Sequence, residues 1–335
     1  MSIRIKDIAY HLPEQVITND QFGAWYPDWD MRHVVERSGV LQRHVAAENE
    51  TALDLAYAAC RKLLAAHPDL KDRIDGLVFC TQSPDYIMPP NSYLLHQKLA
   101  LPDRVLAFDF NLACSGFIYG LALSRGLMAT GMASNILLVT ADTYSKYINP
   151  ADRSVRTLFG DGAAVTWLAA DEVPGVIDIE LSSSGKGHET FIIPAGGLRL
   201  PRSPNTAIPE TDENGNVHSQ NDIHMDGMGI LTFVNSKVPK QIRSLLERNS
   251  LSMDDVDLFV FHQASKVTLD SLARILKVKP EKEFRNLEMV GNTVSASIPM
   301  ALKDAQDCGR LKPGATVLVS GFGVGLSWGS AILKY

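Results

Sequence analysis

The chain has 335 residues, 45% of them apolar and 21% charged, the composition of an ordinary soluble globular protein long enough for two packed halves. With 32 Lys and Arg against 38 Asp and Glu, its formal charge of −6 speaks against generic nucleic-acid binding, while leaving room for a local basic patch facing an acidic partner. Cys60, Cys80, Cys114 and Cys308 lie far apart with no CxxC pair, which argues against a disulfide or zinc framework and fits the reduced thiols of a cytoplasmic protein.

In chain order, Met1–Lys6 reads as a short strand without the apolar core of a signal peptide, and no apolar run reaches membrane-spanning length. Ala52–Ala66 carries apolar residues at helical spacing and leads to a strand over Ile74–Thr81. Arg104–Phe110 reads as a strand, Gly116–Thr130 as a helix, and Ser134–Thr140 as a fully buried strand. Asp171-Glu172-Val173-Pro174-Gly175 marks a boundary between halves, 1–172 and 173–335. Leu198–Asp226, with three prolines and Asn214-Gly215-Asn216, is a loop; its His218, Asp222, His224 and Asp226 lack metal-ligand spacing, so no metal is expected. Asp257–Phe261 is another strand, and Lys312-Pro313-Gly314 turns into a third buried run, Ala315–Ser320. Strands alternating with amphipathic helices give an α/β class. The parallel between Asp75–Ser83 and Asp257–Ser265 suggests an internal duplication.

Three motifs carry chemistry. Asn111-Leu112-Ala113-Cys114-Ser115-Gly116-Phe117 puts a cysteine at a strand-to-helix turn, where the helix dipole favours the thiolate and the first amides can hold an oxyanion. A buried, inert cysteine is the alternative. His262, in Phe261-His262-Gln263-Ala264-Ser265, ends a strand before a helix, a common place for chemistry in α/β proteins. Asn292, in Gly291-Asn292-Thr293-Val294-Ser295-Ala296-Ser297-Ile298-Pro299, sits at the mouth of a helix, where a plain N-cap is the alternative. Gly321–Gly325 resembles a dinucleotide loop, but no βαβ unit follows it; it reads better as a turn that brings amides to the nucleophile.

Together, N-x-A-C-x-G-F, H-Q-A and G-N-T-x-x-A-S-I-P, 148 and 30 residues apart, resemble the Cys-His-Asn triad of the ketoacyl-acyl-carrier-protein synthase III family of the thiolase superfamily. Leu12–Asn19, Arg37–Val40, Phe159–Ala164 and Gly321–Ser330 fit the same family, so the resemblance spans the chain. It implies a thiolase-type fold: two similar halves, each with a mixed five-stranded sheet, in five layers α-β-α-β-α with the active site between them. It also implies acyl transfer from an acyl thioester to Cys114, then decarboxylative condensation with a malonyl thioester. His262 and Asn292 would bind the enolate oxygen, the Cys114 and Val324 amides would form the oxyanion hole, and Phe322 would keep water from the thiol. No cofactor is needed beyond acyl-CoA, acyl-ACP or malonyl-ACP as substrates, and the partners are acyl carrier protein, coenzyme A thioesters and a second copy in a homodimer.

Arg37 and Arg153 match arginines near the coenzyme A nucleotide, with ordinary surface arginine as the alternative. Met88 matches a residue that crosses the dimer interface into the partner's acyl pocket, with interface packing as the alternative. The chain departs from the family at substrate delivery: His33 replaces the usual tryptophan, for which Trp29 is a substitute, Ser265 replaces an Asn, and Val267 replaces an Arg, leaving Lys266 and Arg274 nearby. These departures motivate a second reading, an acyltransferase acting on a hydroxyl or amine; a third, a partner subunit that has lost catalysis, is opposed by the intact Cys-His-Asn set.

Overall fold

The computed structural model describes residues 2–335 and contains two open sheets with helices on every face. The principal strands are β1 (Ser2–His11), β2 (Gly76–Cys80), β3 (Leu106–Phe110), β4 (Asn135–Asp142), β5 (Gly162–Asp171), β6 (Val176–Ser183), β7 (Leu258–Phe261), β8 (Thr316–Gly323) and β9 (Ser327–Lys334). The principal helices are α1 (Ala52–Ala66), α2 (Asn91–Lys98), α3 (Gly116–Ala129), α4 (Gly227–Arg248), α5 (Lys266–Leu276) and α6 (Ser297–Asp307).

The first sheet runs β1-β5-β4-β2-β3, with β4, β2 and β3 parallel and the other neighbours antiparallel. The second runs β6-β9-β8-β7 with the same alternation. The expected fifth strand of the second sheet is missing. Its place beside β7 is taken by Glu283 and Phe284, joined through one parallel bridge and the Phe284 N–H to Phe259 C=O bond of 3.0 Å. Pro280, the Pro280–Lys282 turn and the ion-paired Arg285 surround that segment, so it pairs at a single point instead of forming a ladder. The turn over residues 172–175 joins β5 to β6.

Local chemistry accounts for these elements. Thr51 caps α1 in a reciprocal box with Asp54, and the buried Leu53, Ala56, Cys60 and Leu63 form its core stripe. Asp109 accepts from the Asn91 and Ser92 amides at the start of α2, at 2.7 and 2.8 Å. β2 is buried at every residue and β4 at all but its first, because helices cover both faces of the sheet. The amphipathic α1 packs on one face of the first sheet. α3 and α6 lie between the two sheets, sharing one core with Ile3, Val78, Leu138, Val260 and Val319. α4 and α5 cover the far side of the second sheet. The result is the five-layer α-β-α-β-α arrangement, with α3 and α6 in the middle layer. The buried Ser134–Thr140 run is the interior strand β4, while β3 and β1 are the edges of that sheet.

Candidate active site

Cys114 lies in the turn between β3 and α3 and is 4% exposed. The Cys80 thiol donates to the Leu112 carbonyl at 2.8 Å and steadies that turn. β8 passes directly over the nucleophile. A Cβ at Gly321 would stand 2.6 Å from the Cys114 carbonyl oxygen, and one at Gly323 would stand 3.1 Å from Cys114 Sγ. These glycines therefore continue the strand and permit close approach; the turn expected there begins only after Gly323. Ser115 Oγ and Ser327 Oγ are 2.7 Å apart, and Ser327 Oγ donates to the Val324 carbonyl at 2.9 Å, so the turn at Val324 is tied to the nucleophile's own turn. Among the described residues, neither the Cys114 nor the Val324 N–H donates to a carbonyl or a side chain of another residue.

His262 follows β7 and donates its backbone N–H to the Ser320 carbonyl at 2.8 Å. Its Nδ1 lies 2.7 Å from Ser297 Oγ, at the start of α6, and its Nε2 lies 3.4 Å from Asn292 Nδ2. Phe322 meets the imidazole edge-on, with centroids 5.6 Å apart. Asn292 is not a helix cap. Its backbone N–H donates to the Leu158 carbonyl and its carbonyl accepts from Gly160, at 2.9 and 3.0 Å, while its Oδ1 accepts from the Val294 amide at 2.9 Å. Its Nδ2 also reaches the Ala264 carbonyl at 3.2 Å. Gly291 precedes it with φ +72, and a Cβ there would sit 3.1 Å from the Leu158 carbonyl, so both backbone conformation and space disfavour a side chain. The structure thus brings all three motif residues, buried, to the interface of the halves.

Sequence reasoning missed Asp142. At the end of β4 it accepts from the Gln82 amide at 2.8 Å and from Ser295 Oγ at 2.5 Å, joining the first half to the loop that carries Asn292. Burial pushes its carboxyl up to about 7, against the pull of those donors. Burial lowers His262 to about 3, leaving a neutral imidazole at physiological pH. Cys114 corrects the expectation of a favoured thiolate: burial, and then the nearby Asp142 carboxylate, push its thiol well above the ordinary range.

Arg37 and Arg153 line one open cleft of 1010 Å³ together with His33, Ser265 and Val267. The Leu158 and Ser265 lining places the cleft's inner end beside the backbone around Asn292 and His262. The Leu198–Asp226 loop supplies the opposite wall through Asp212–Asn216, and Arg153 donates to the Asn214 carbonyl at 3.3 Å. Only loop chemistry marked that segment, so its part in the cleft was invisible in the sequence. The His218 and His224 rings meet at a tilt with centroids 5.2 Å apart, Asp222 accepts from Ser219 and Asn149, and Asp226 caps α4. Trp29 does not line the cleft; its ring is stacked on Tyr26 with centroids 4.1 Å apart. Met88 stands in an exposed loop with Ile87, at 79% and 97% exposure, and lines none of the cavities of 1010, 410 and 400 Å³. Phe322 is buried against both His262 and the cluster that holds Cys114.

Residues 108–185 match the family described as 3-oxoacyl-[acyl-carrier-protein (ACP)] synthase III, and residues 246–335 match its C-terminal part. The β-ketoacyl-[acyl-carrier-protein] synthase III of Campylobacter curvus is 35% identical over 329 residues, 98% of this chain and 95% of that one. The chain belongs to the 3-oxoacyl-acyl-carrier-protein synthase III family. A crystal structure of a 3-oxoacyl-(acyl-carrier-protein) synthase III superposes with a TM-score of 0.97 at 40% identity, covering all of both chains. That from Burkholderia xenovorans gives 0.91 at 34% identity, covering 100% of this chain and 94% of that one. The fold is accordingly the duplicated thiolase type, and the chain is a condensing enzyme.

For this synthase the raised thiol has a kinetic signature. Alkylation of Cys114 by iodoacetamide should climb about tenfold per pH unit from pH 6 to 9 without a plateau, because the rate follows the thiolate fraction below the pKa. The measurement belongs in a Cys308→Ser background, since Cys308 is the exposed cysteine. A plateau below pH 8 would restore the low-pKa thiolate.

Proposed function

We propose that this synthase acylates Cys114 from an acyl thioester of coenzyme A or acyl carrier protein and condenses that acyl group with a malonyl thioester. In the first step the Cys114 Sγ–acyl bond forms, the carrier's C–S bond breaks, and the thiol proton leaves with the carrier thiol. The free amides of Cys114 and Val324 support an oxyanion hole for the tetrahedral intermediate. In the second step the malonyl group loses CO2, and its bonding pair passes into the thioester carbonyl as an enolate. The enolate carbon attacks the acyl carbonyl, the β-ketoacyl product departs, and Cys114 takes up a proton.

One observation carries this reading: His262 Nε2 and Asn292 Nδ2 lie 3.4 Å apart in a buried site where the imidazole is neutral. This reading takes Ser297 as the donor to Nδ1, which puts the ring proton on Nε2 and gives two neutral N–H donors for one enolate oxygen. Such a pair stabilises an enolate without protonating it. Arg37 and Arg153 in the long cleft suit the phosphates of a pantetheine carrier, and Phe322 excludes water from the thiol. The four free cysteines suit the cytoplasm. The two repeated halves, 1–172 and 173–335, each contribute part of the machinery. Malonyl thioester labelled at its free carboxyl tests the reaction: labelled CO2 must appear in step with β-ketoacyl product. Transfer of the acyl group to a hydroxyl or amine without CO2 would make the protein an acyltransferase of the second kind.

A homodimer completes the proposal. β3 offers an unpaired edge whose residues are all half-buried, and the Tyr86–Met88 loop exposes large apolar side chains. Strand β3 would pair across the two-fold axis and Met88 would enter the partner's acyl pocket. Light scattering should give twice the chain mass, and Met88→Trp should keep that mass while shifting acylation toward shorter chains. A monomer in solution would remove the interface, and an unchanged chain-length profile would remove Met88 from the pocket.

A further inference from the structure

A cavity of 400 Å³ opens beside the nucleophile, walled by Val324 and Gly325, the residues after the glycine that touches Cys114 Sγ. Phe191 and Ile223 give it apolar sides, as a site for a hydrocarbon group requires. Ile192 and Ile193 extend that apolar lining, and Tyr144, Gln82 and Asn111 supply a polar edge. The Tyr144 hydroxyl donates to Gln82 Oε1, and Gln82 Nε2 donates to Asn111 Oδ1 at 2.7 Å. Asn111, an exposed residue, ends the series three positions before Cys114, with its Nδ2 open to water at the cavity wall.

The series has a direction. Tyr144 is buried, and its burial beside Asp142 and Cys114 raises its phenol, so it remains a donor. Each amide passes the polarity on, and the last group offered to the cavity is an N–H. An oxygen acceptor completes that chain; an ammonium group opposes it, and a plain methylene seated there displaces water from the amide and offers nothing in its place. We propose that this wall selects an acyl group bearing an oxygen substituent, a hydroxyacyl or oxoacyl thioester, over the plain aliphatic acyl group of equal length. The inference deepens the acylation of Cys114 proposed above and rests on it.

The test compares rates of Cys114 acylation, read by intact-protein mass, for butanoyl thioesters and their 3-hydroxy, 4-hydroxy and 3-oxo derivatives. Both coenzyme A and acyl carrier protein serve as carriers. At least one oxygenated derivative should react about tenfold or more faster than butanoyl, since a site built around a hydrogen bond discriminates against the analogue lacking it. In Asn111→Ala and in Tyr144→Phe that ratio should fall toward one. Butanoyl reacting as fast as every derivative, or a ratio unmoved in both variants, overturns the selective wall while leaving Cys114 as nucleophile. Absence of any acyl adduct on any carrier overturns the acylation itself, and the selectivity with it.

Discussion

Replacing Cys114 by Ala should abolish the covalent acyl adduct and lower condensation at least about a thousandfold, the scale on which loss of a nucleophile falls. The fold should survive. Alanine is small and apolar, and the site is closed by β8 above and the Cys80–Leu112 hydrogen bond below. Loss of one buried sulfur costs about 1–2 kcal/mol, well within a typical stability of about 5–15 kcal/mol. The variant should still release CO2 from a malonyl thioester, because His262, Asn292 and their supports are intact. Intact-mass spectrometry reads the adduct, circular dichroism the fold, and labelled malonyl thioester the CO2. An acyl adduct persisting on Cys114→Ala would move the nucleophile elsewhere.

His262→Ala and Asn292→Ala should each slow decarboxylation about 10²–10³-fold, the effect of removing one donor to a developing oxyanion. Acylation of Cys114 should change less than about tenfold in either variant, since the amides proposed to hold its intermediate belong to other residues. The double variant should lose much less than the product of the two, because both donors face one oxygen. The wild-type decarboxylation rate should show no acid limb from His262 between pH 8 and 4, as the imidazole charges only near pH 3. The same shift affects stability. An unfolded histidine takes its proton near 6.5, so the His262 contribution is complete above that pH and is lost progressively as the pH falls toward 3. Equal collapse of acylation and decarboxylation in both variants would reject this division of labour.

Much of this architecture was legible because periodicity and turn chemistry are local. Helix α1 lies over the residues its apolar spacing marked, and β2, β3, β4 and β7 lie within a few residues of the runs that announced them. Cys114, His262 and Asn292 stood out because each interrupts a strand-turn-helix pattern with a reactive or amide side chain. What stayed hidden depends on contacts between distant segments. Asp142 looks like the end of an apolar strand until Ser295, 153 residues away, is seen donating to it. Tyr144, Gln82 and Asn111 come from three separate turns, and nothing in their spacing predicts a continuous chain of hydrogen bonds. The interior place of β4 and the edge place of β3 follow from sheet order, which hydrophobicity does not encode. A helix terminus, which favours the Cys114 thiolate, is visible in a sequence, whereas the burial that raises the thiol is not.

The middle layer has an electrical consequence. α3 begins just after Cys114, and α6 begins at Ser297, against the neutral His262 ring, so the positive ends of two helix dipoles converge beside the buried Asp142 carboxyl. Buried partial charges of that kind are little screened by dissolved ions, whereas Arg37 and Arg153 stand in an open cleft within reach of solvent counterions. The enzyme is therefore divided into a salt-sensitive doorway and a salt-indifferent chamber. For the proposed thioester carriers, raising ionic strength should weaken capture of the phosphate-bearing group and raise KM, while kcat for a substrate already inside should stay nearly constant.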